Sequence, residues 1–262
     1  MSTNTRFPII IIDDFFPDVD YVLDLAKNAE YMPSDTCAPG EFSKQHINEL
    51  DPKLAEWICT KIVGLYWDVR FHNVMWRAAL DFMRVTPDSD PDCNRGLIHR
   101  DNAEPDNGFK HNDLAGIIYL SKCMSEDTGT SIYKPKEEHT YKLGYMPSKD
   151  TAAKVKARNA DPETQRPVYK EFLDRHNEQF TEVVKIQNSF NRLACYPGNL
   201  WHAPTMLGNP GDETRYTLRI FFDNIYDPNL VYPLERMEHG VHPRSGKDPE
   251  HRTIKFAAVK DL

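Results

Sequence analysis

Five short runs constrain the fold of this chain more than anything else in it: FHNVMWRAALDFMRVT, LAGIIYL, TSIYKP, RLACYP and RYTLRIFFD. Each is rich in β-branched and aromatic residues and is bounded by Gly, Pro or Asp, the pattern of strands that pack a pleated surface and end in tight turns. In the last run, period-two alternation puts Arg215, Thr217 and Arg219 on one face and Tyr216, Leu218, Ile220 and Phe222 on the other. The apolar face is built to pack. An arginine on the opposite, inward face would cost about 3 to 5 kcal/mol if it stayed unpaired, so that face predicts an arriving anion.

Helices come first. FPIIIIDDFFPDVDYVLDLAKNAEYM reads as a buried strand, a Pro-Asp turn and a helix with Val22, Leu25, Ala26 and Ala29 on one side. Asp51 and Pro52 supply an N-cap and a first-turn proline for a helix to about Tyr66, with Leu54, Ile58, Ile62 and Leu65 as its apolar stripe. The fold class expected is mainly β with flanking helices. Residues 134–187 are polar and predict exposed helices or a lid inserted between strands. No repeat or long linker divides the chain, so residues 1–262 are expected to form one domain.

The chemistry is expected at LIHRDN. Residues i and i+2 at a strand end point the same way, so His99 and Asp101 can bite one ion while Arg100 points away. The sequence contains a second such triplet, His111-Asn112-Asp113, which abuts LAGIIYL and leaves no loop between a metal-binding strand end and the next strand. His202 follows the Pro197-Gly198 turn on a later strand. Two imidazoles and one carboxylate on one face of a divalent first-row metal leave three positions for substrates and oxygen, so His99, Asp101 and His202 are the candidate metal ligands. Arg215 with Thr217 can bind a carboxylate, and Tyr119 is placed to add a phenolic donor.

In their order, HRDN, AGIIYLS, TGTSIY, YPGNLWH and TRYTLRIFF resemble the core of the Fe(II) and 2-oxoglutarate-dependent dioxygenases, closest to their prolyl-hydroxylase-like branch. The resemblance covers about residues 80–224. It implies a double-stranded β-helix, a jelly-roll of the cupin-like kind. It also implies Fe(II) held by His99, Asp101 and His202, and 2-oxoglutarate chelating the iron with its far carboxylate on Arg215, helped by Tyr119. A His202-to-Arg215 spacing longer than usual keeps Arg219 open as the carboxylate anchor. The retained Asp101 argues against the family's halogenating members, which replace that carboxylate. The expected reaction uses O2 and hydroxylates an amino acid, a peptidyl residue or a small metabolite. A metal-binding barrel that senses or binds without turnover is the alternative.

A net charge of −8 gives no general attraction to nucleic acid or to an anionic membrane. Five scattered cysteines without a CxxC read as reduced thiols, and Ile9 to Ile12 is too short a run for a signal or a span. A cytoplasmic protein is expected.

Overall fold

The computed structural model describes residues 7–33, 40–67, 74–101, 114–122, 124–136 and 162–226. The His111-Asn112-Asp113 triplet lies outside them. The chain opens with strand β1 (Ile10–Ile12) and helix α1 (Val19–Asn28), whose N-cap Asp18 accepts from the Tyr21 N–H. Two short strands follow, β2 (Tyr31–Pro33) and β3 (Glu41–Ser43), and then the one-turn helix α2 (Ile47–Leu50). Helix α3 (Pro52–Tyr66) starts where the Asp51-Pro52 signal predicts, with the Asp51 carboxylate accepting from the Lys53 and Leu54 N–H groups. Its buried face is centred on Ala55, Ile58, Cys59, Ile62 and Tyr66. Leu65, expected in the apolar stripe, is 36% exposed, because Val63 and Tyr66 fill the last turn against the core instead.

The remaining strands are β4 (Met75–Val85), β5 (Leu114–Tyr119), β6 (Thr130–Pro135), β7 (Phe180–Ile186), β8 (Leu193–Pro197), β9 (Trp201–Pro204) and β10 (Arg215–Tyr226), with helix α4 (Pro162–Asn177) ahead of β7. One sheet runs β1-β8-β5-β10-β4-β3-β2 and the other β7-β6-β9. An antiparallel bridge between His99 and His202 adds the segment around His99 to the free edge of β9. The chain therefore visits the large sheet at β4, β5, β8 and β10, and the small sheet at His99, β6, β7 and β9. That alternation between facing antiparallel sheets is the double-stranded β-helix.

Period-two alternation sorts the large sheet into two faces. Its outer face, with Phe82, Ile118, Leu193, Leu218 and Ile220, packs on α1 and α3 through Val22, Ala26, Ile58 and Ile62 in one apolar cluster. Each such fully buried side chain contributes about 1.5 to 3 kcal/mol. The inner face meets the small sheet, where Ala115 and Tyr196 pack with Ile132.

The polar stretch 134–187 divides. Residues 137–161 lie outside the described residues, and α4 supplies helix, but Phe180–Ile186 is a strand of the small sheet. Its composition conceals this because, among the described residues, β7 pairs with β6 alone and buries only its two end residues, so five polar or exposed positions in between carry no inward pattern. Among the described residues no helix is long and apolar enough to cross a membrane.

Candidate metal centre and carboxylate pocket

His99 and His202 face each other because their backbones pair: the His99 N–H donates to the His202 carbonyl at 2.9 Å, and the His202 N–H donates back at 2.8 Å. Asp101 is fixed by its own N–H, which donates to the Gly198 carbonyl at 3.1 Å. The His99 Nε2 lies 3.6 Å from Asp101 Oδ1, and the His202 Nε2 lies 3.3 Å from Asp101 Oδ2. One ligand atom from each of the three lies within 4.8 Å of the others. Metal bonds of about 2.1 Å at right angles separate donor atoms by about 3 Å, so the set needs only a small contraction to hold one ion.

Both imidazoles are oriented for that role. The Nδ1 of His99 hydrogen-bonds the Leu97 carbonyl at 2.8 Å, and the Nδ1 of His202 the Leu200 carbonyl at 2.9 Å. A carbonyl only accepts, so each Nδ1 carries a proton and each Nε2, which faces Asp101, is the atom that offers its lone pair to a metal when the ring is neutral. Burial opposes charge on His99, yet the neighbouring Asp101 carboxylate prevails and raises its pKa. At His202 burial wins and the pKa falls. Asp101 is buried too, but the two imidazoles hold it below the usual carboxylate range.

The second half of the site is a buried cation. Arg215 is 1% exposed, and its Nε and Nη2 have no hydrogen-bond partner among the described residues. Burial lowers its pKa. The Tyr119 ring lies 5.7 Å from the guanidinium, and Tyr119 sits directly across from Thr217 in the β5–β10 register. The Tyr119 hydroxyl donates to Thr130 Oγ at 2.8 Å, so the phenol reaches the pocket with its hydrogen already placed on that neighbour. Thr217 is buried beside them.

The alternative anchor, Arg219, is differently placed. It donates from Nε and Nη2 to the two oxygens of Asp81, its register partner on β4, and its guanidinium lies 3.7 Å over the Phe42 ring. Asp81 is a residue the sequence reading missed; a lone acid inside the apolar run AALDFM was its signal. Tyr196 was missed as well. It points inward from β8 with its ring 4.7 Å from that of His202, and burial together with the Asp101 charge pushes its pKa well up.

A family model described as a family of unknown function, DUF6445, matches residues 2–221. No curated protein matches the chain. Among solved structures, HygX from Streptomyces hygroscopicus with nickel and 2-oxoglutarate bound is similar at 12% identity, with 82% of each chain covered and a TM-score of 0.49. A Pseudomonas putida prolyl-4-hydroxylase is similar at 15% identity over 82% of this chain and 92% of that one, TM-score 0.42. A prolyl hydroxylase from Trichoplax adhaerens, in complex with a hypoxia inducible factor peptide fragment, is similar at 11% identity over 84% of each, TM-score 0.44. At such identities and scores these likenesses carry nothing about chemistry, which rests on the side chains of this chain.

Proposed function

The chain belongs to the DUF6445 family, and we propose that it is a non-haem Fe(II) oxygenase that uses 2-oxoglutarate and O2 to hydroxylate a small-molecule or peptidyl substrate. The observation that carries this reading is the pair of facing imidazoles, His202 buried and His99 partly exposed, whose Nδ1 atoms are committed to backbone carbonyls, leaving both Nε2 atoms around one carboxylate. His99, Asp101 and His202 would hold the metal on one face. Bound iron would supply the oxidative decarboxylation of 2-oxoglutarate to succinate and carbon dioxide, coupled to hydroxylation of an unactivated C–H bond.

The chain's own residues do the placing. Arg215 takes the far carboxylate of 2-oxoglutarate, converting a buried cation without a partner among the described residues into an ion pair, with Thr217 and Tyr119 beside it. Tyr119 stays protonated because burial raises its pKa, so it remains a neutral hydrogen-bonding group at neutral pH. The substrate class proposed is an amino acid, a peptidyl side chain or a small metabolite, and residues 1–262 are read as one oxygenase domain.

The test is spectroscopic. Anaerobic protein mixed with Fe(II) and 2-oxoglutarate should develop a weak visible charge-transfer band, and His99→Ala or His202→Ala should abolish it. A normal band in either variant ends the assignment.

A further inference from the structure

Among the described residues, the segment that carries His99 has a β neighbour on one side only. His99 and Asp101 turn their backbones toward the β9 side, where they bond His202 and Gly198, so the backbone of Ile98 between Leu97 and His99 must turn the opposite way. Ile98 is 2% exposed, and a buried backbone N–H and C=O need partners. Two side chains at the end of α4 supply them. Asn177 Oδ1 accepts from the Ile98 N–H at 3.2 Å, and His176 Nε2 donates to the Ile98 carbonyl at 2.7 Å. Asn177 Nδ2 also donates to the Gly96 carbonyl at 2.9 Å. An acceptor and donors in that alternation are what a further strand of the small sheet would have offered.

We propose that His176 and Asn177 are positioning residues that stand in for this missing strand and hold the metal-binding segment in register. The inference rests on the reading of His99, Asp101 and His202 as metal ligands. Register matters here because side chains alternate with period two: a slip of one residue would turn His99 out of the barrel and Arg100 in. On the β9 side the register is held by the His99–His202 bridge and one backbone bond at either end, Gly96 to Pro204 and Asp101 to Gly198; on the Ile98 side the His176 and Asn177 side chains hold it.

The rest of α4 is fastened to the same stretch. Asp174 pairs with Arg95 at 2.5 Å and Lys170 with Asp92 at 2.8 Å. Tyr169 and Leu173 pack on Cys93 and Leu97. His176 itself is held between the rings of Phe172 and Phe180, at 6.1 and 5.4 Å. Helix α4 is thus fastened by packing and ion pairs to the stretch that leads into Ile98.

The experiment measures Ni(II) binding by calorimetry in the metal-free full-length protein. His176→Phe keeps the aromatic stack and loses the donor; Asn177→Ala loses both bonds; Asn177→Asp keeps the acceptor for Ile98 and is the milder change. A core substitution away from the site, Ile62→Val, serves as the control for lost stability. His176→Phe and Asn177→Ala should weaken Ni(II) binding about tenfold or more, the range for groups that orient metal ligands. Asn177→Asp should fall between them and the wild type, and Ile62→Val should leave affinity within about twofold of it. Affinity unchanged in His176→Phe and Asn177→Ala, or lowered no more than in the control, overturns the positioning role while leaving the metal centre standing. A wild-type protein that takes up no Ni(II) overturns the metal reading itself, and this inference with it.

Discussion

Arg219 donates two parallel hydrogen bonds to Asp81, directly across from it on β4: Nε to Oδ1 at 2.8 Å and Nη2 to Oδ2 at 2.9 Å. Four residues earlier on the same face of the same strand, Arg215 stands across from Val85, which offers no charge. The two arginines are indistinguishable by alternation, yet one is neutralised within the fold and the other is buried with Nε and Nη2 unsatisfied among the described residues. A folded protein retains such a cation at a free-energy cost, and the cost has a purpose if a ligand carboxylate offsets it.

Arg215→Met tests that directly. Removing the buried charge should raise the urea midpoint of the ligand-free protein, by about 1 to 4 kcal/mol in stability on the scale seen when apolar side chains replace buried ionic groups. The same variant should lose its stabilisation by 2-oxoglutarate, which in the wild type should reach about 2.7 kcal/mol at a hundredfold excess over the dissociation constant. A variant that is less stable and still responds to the ligand would assign Arg215 to packing.

For Arg219 the opposite is expected. Asp81→Ala or Arg219→Met alone leaves a partly buried charge without its partner and should cost about 3 kcal/mol, the low end for breaking a buried pair, because both side chains keep some solvent contact. The double variant should cost clearly less than the two single effects added together. Stabilisation by 2-oxoglutarate should persist in Asp81→Ala. Additive losses in a double-mutant cycle would show that the pair is not coupled.

Gly96 lies where two segments of the small sheet touch. A Cβ there would sit 2.4 Å from the Pro204 carbonyl oxygen and 2.9 Å from the Pro204 nitrogen, both backbone atoms that cannot rotate away. Gly96→Ala should therefore destabilise by about 1 to 3 kcal/mol as an overpacking change. Because Gly96 leads into the His99 segment and its N–H donates to Pro204, the variant should also bind Ni(II) more weakly than the wild type. A melting temperature and a nickel isotherm equal to those of the wild type would contradict the close approach.

The cap of α3 gives a pH signature. Asp51 is held below the usual aspartate range first by the Leu54 N–H and then by the Tyr21 hydroxyl, which donates at 2.9 Å. Asp51→Ala should cost about 1 kcal/mol at pH 7. A lowered folded pKa means this contribution is complete above the ordinary aspartate value of about 3.9 and is lost as the pH falls through the lower folded value. The difference between wild type and variant should be equal at pH 7 and pH 5.5 and shrink below about pH 4; a gap that widens in acid would reverse the sign of the shift.

What the sequence determined by itself is what neighbouring residues decide between them. The Asp51-Pro52 start of α3, the alternation along β10 and the same-side placement of His99 and Asp101 all follow from backbone geometry over a few positions, so they are legible without a fold. Tertiary structure decided the rest. Strands β2 and β3 are three residues each and exist only through their pairing with β4 and each other. Strand β7 is polar because it lies at an edge, and local composition cannot distinguish that from a lid. Which arginine stays charged and waiting depends on Asp81 lying across from Arg219, a partner 138 residues away in the chain. Likewise the segment before His99 is held by His176 and Asn177, which a polar helix gave no reason to single out. Contacts of that sequence separation are set by how the sheets close on one another, and no local period carries them.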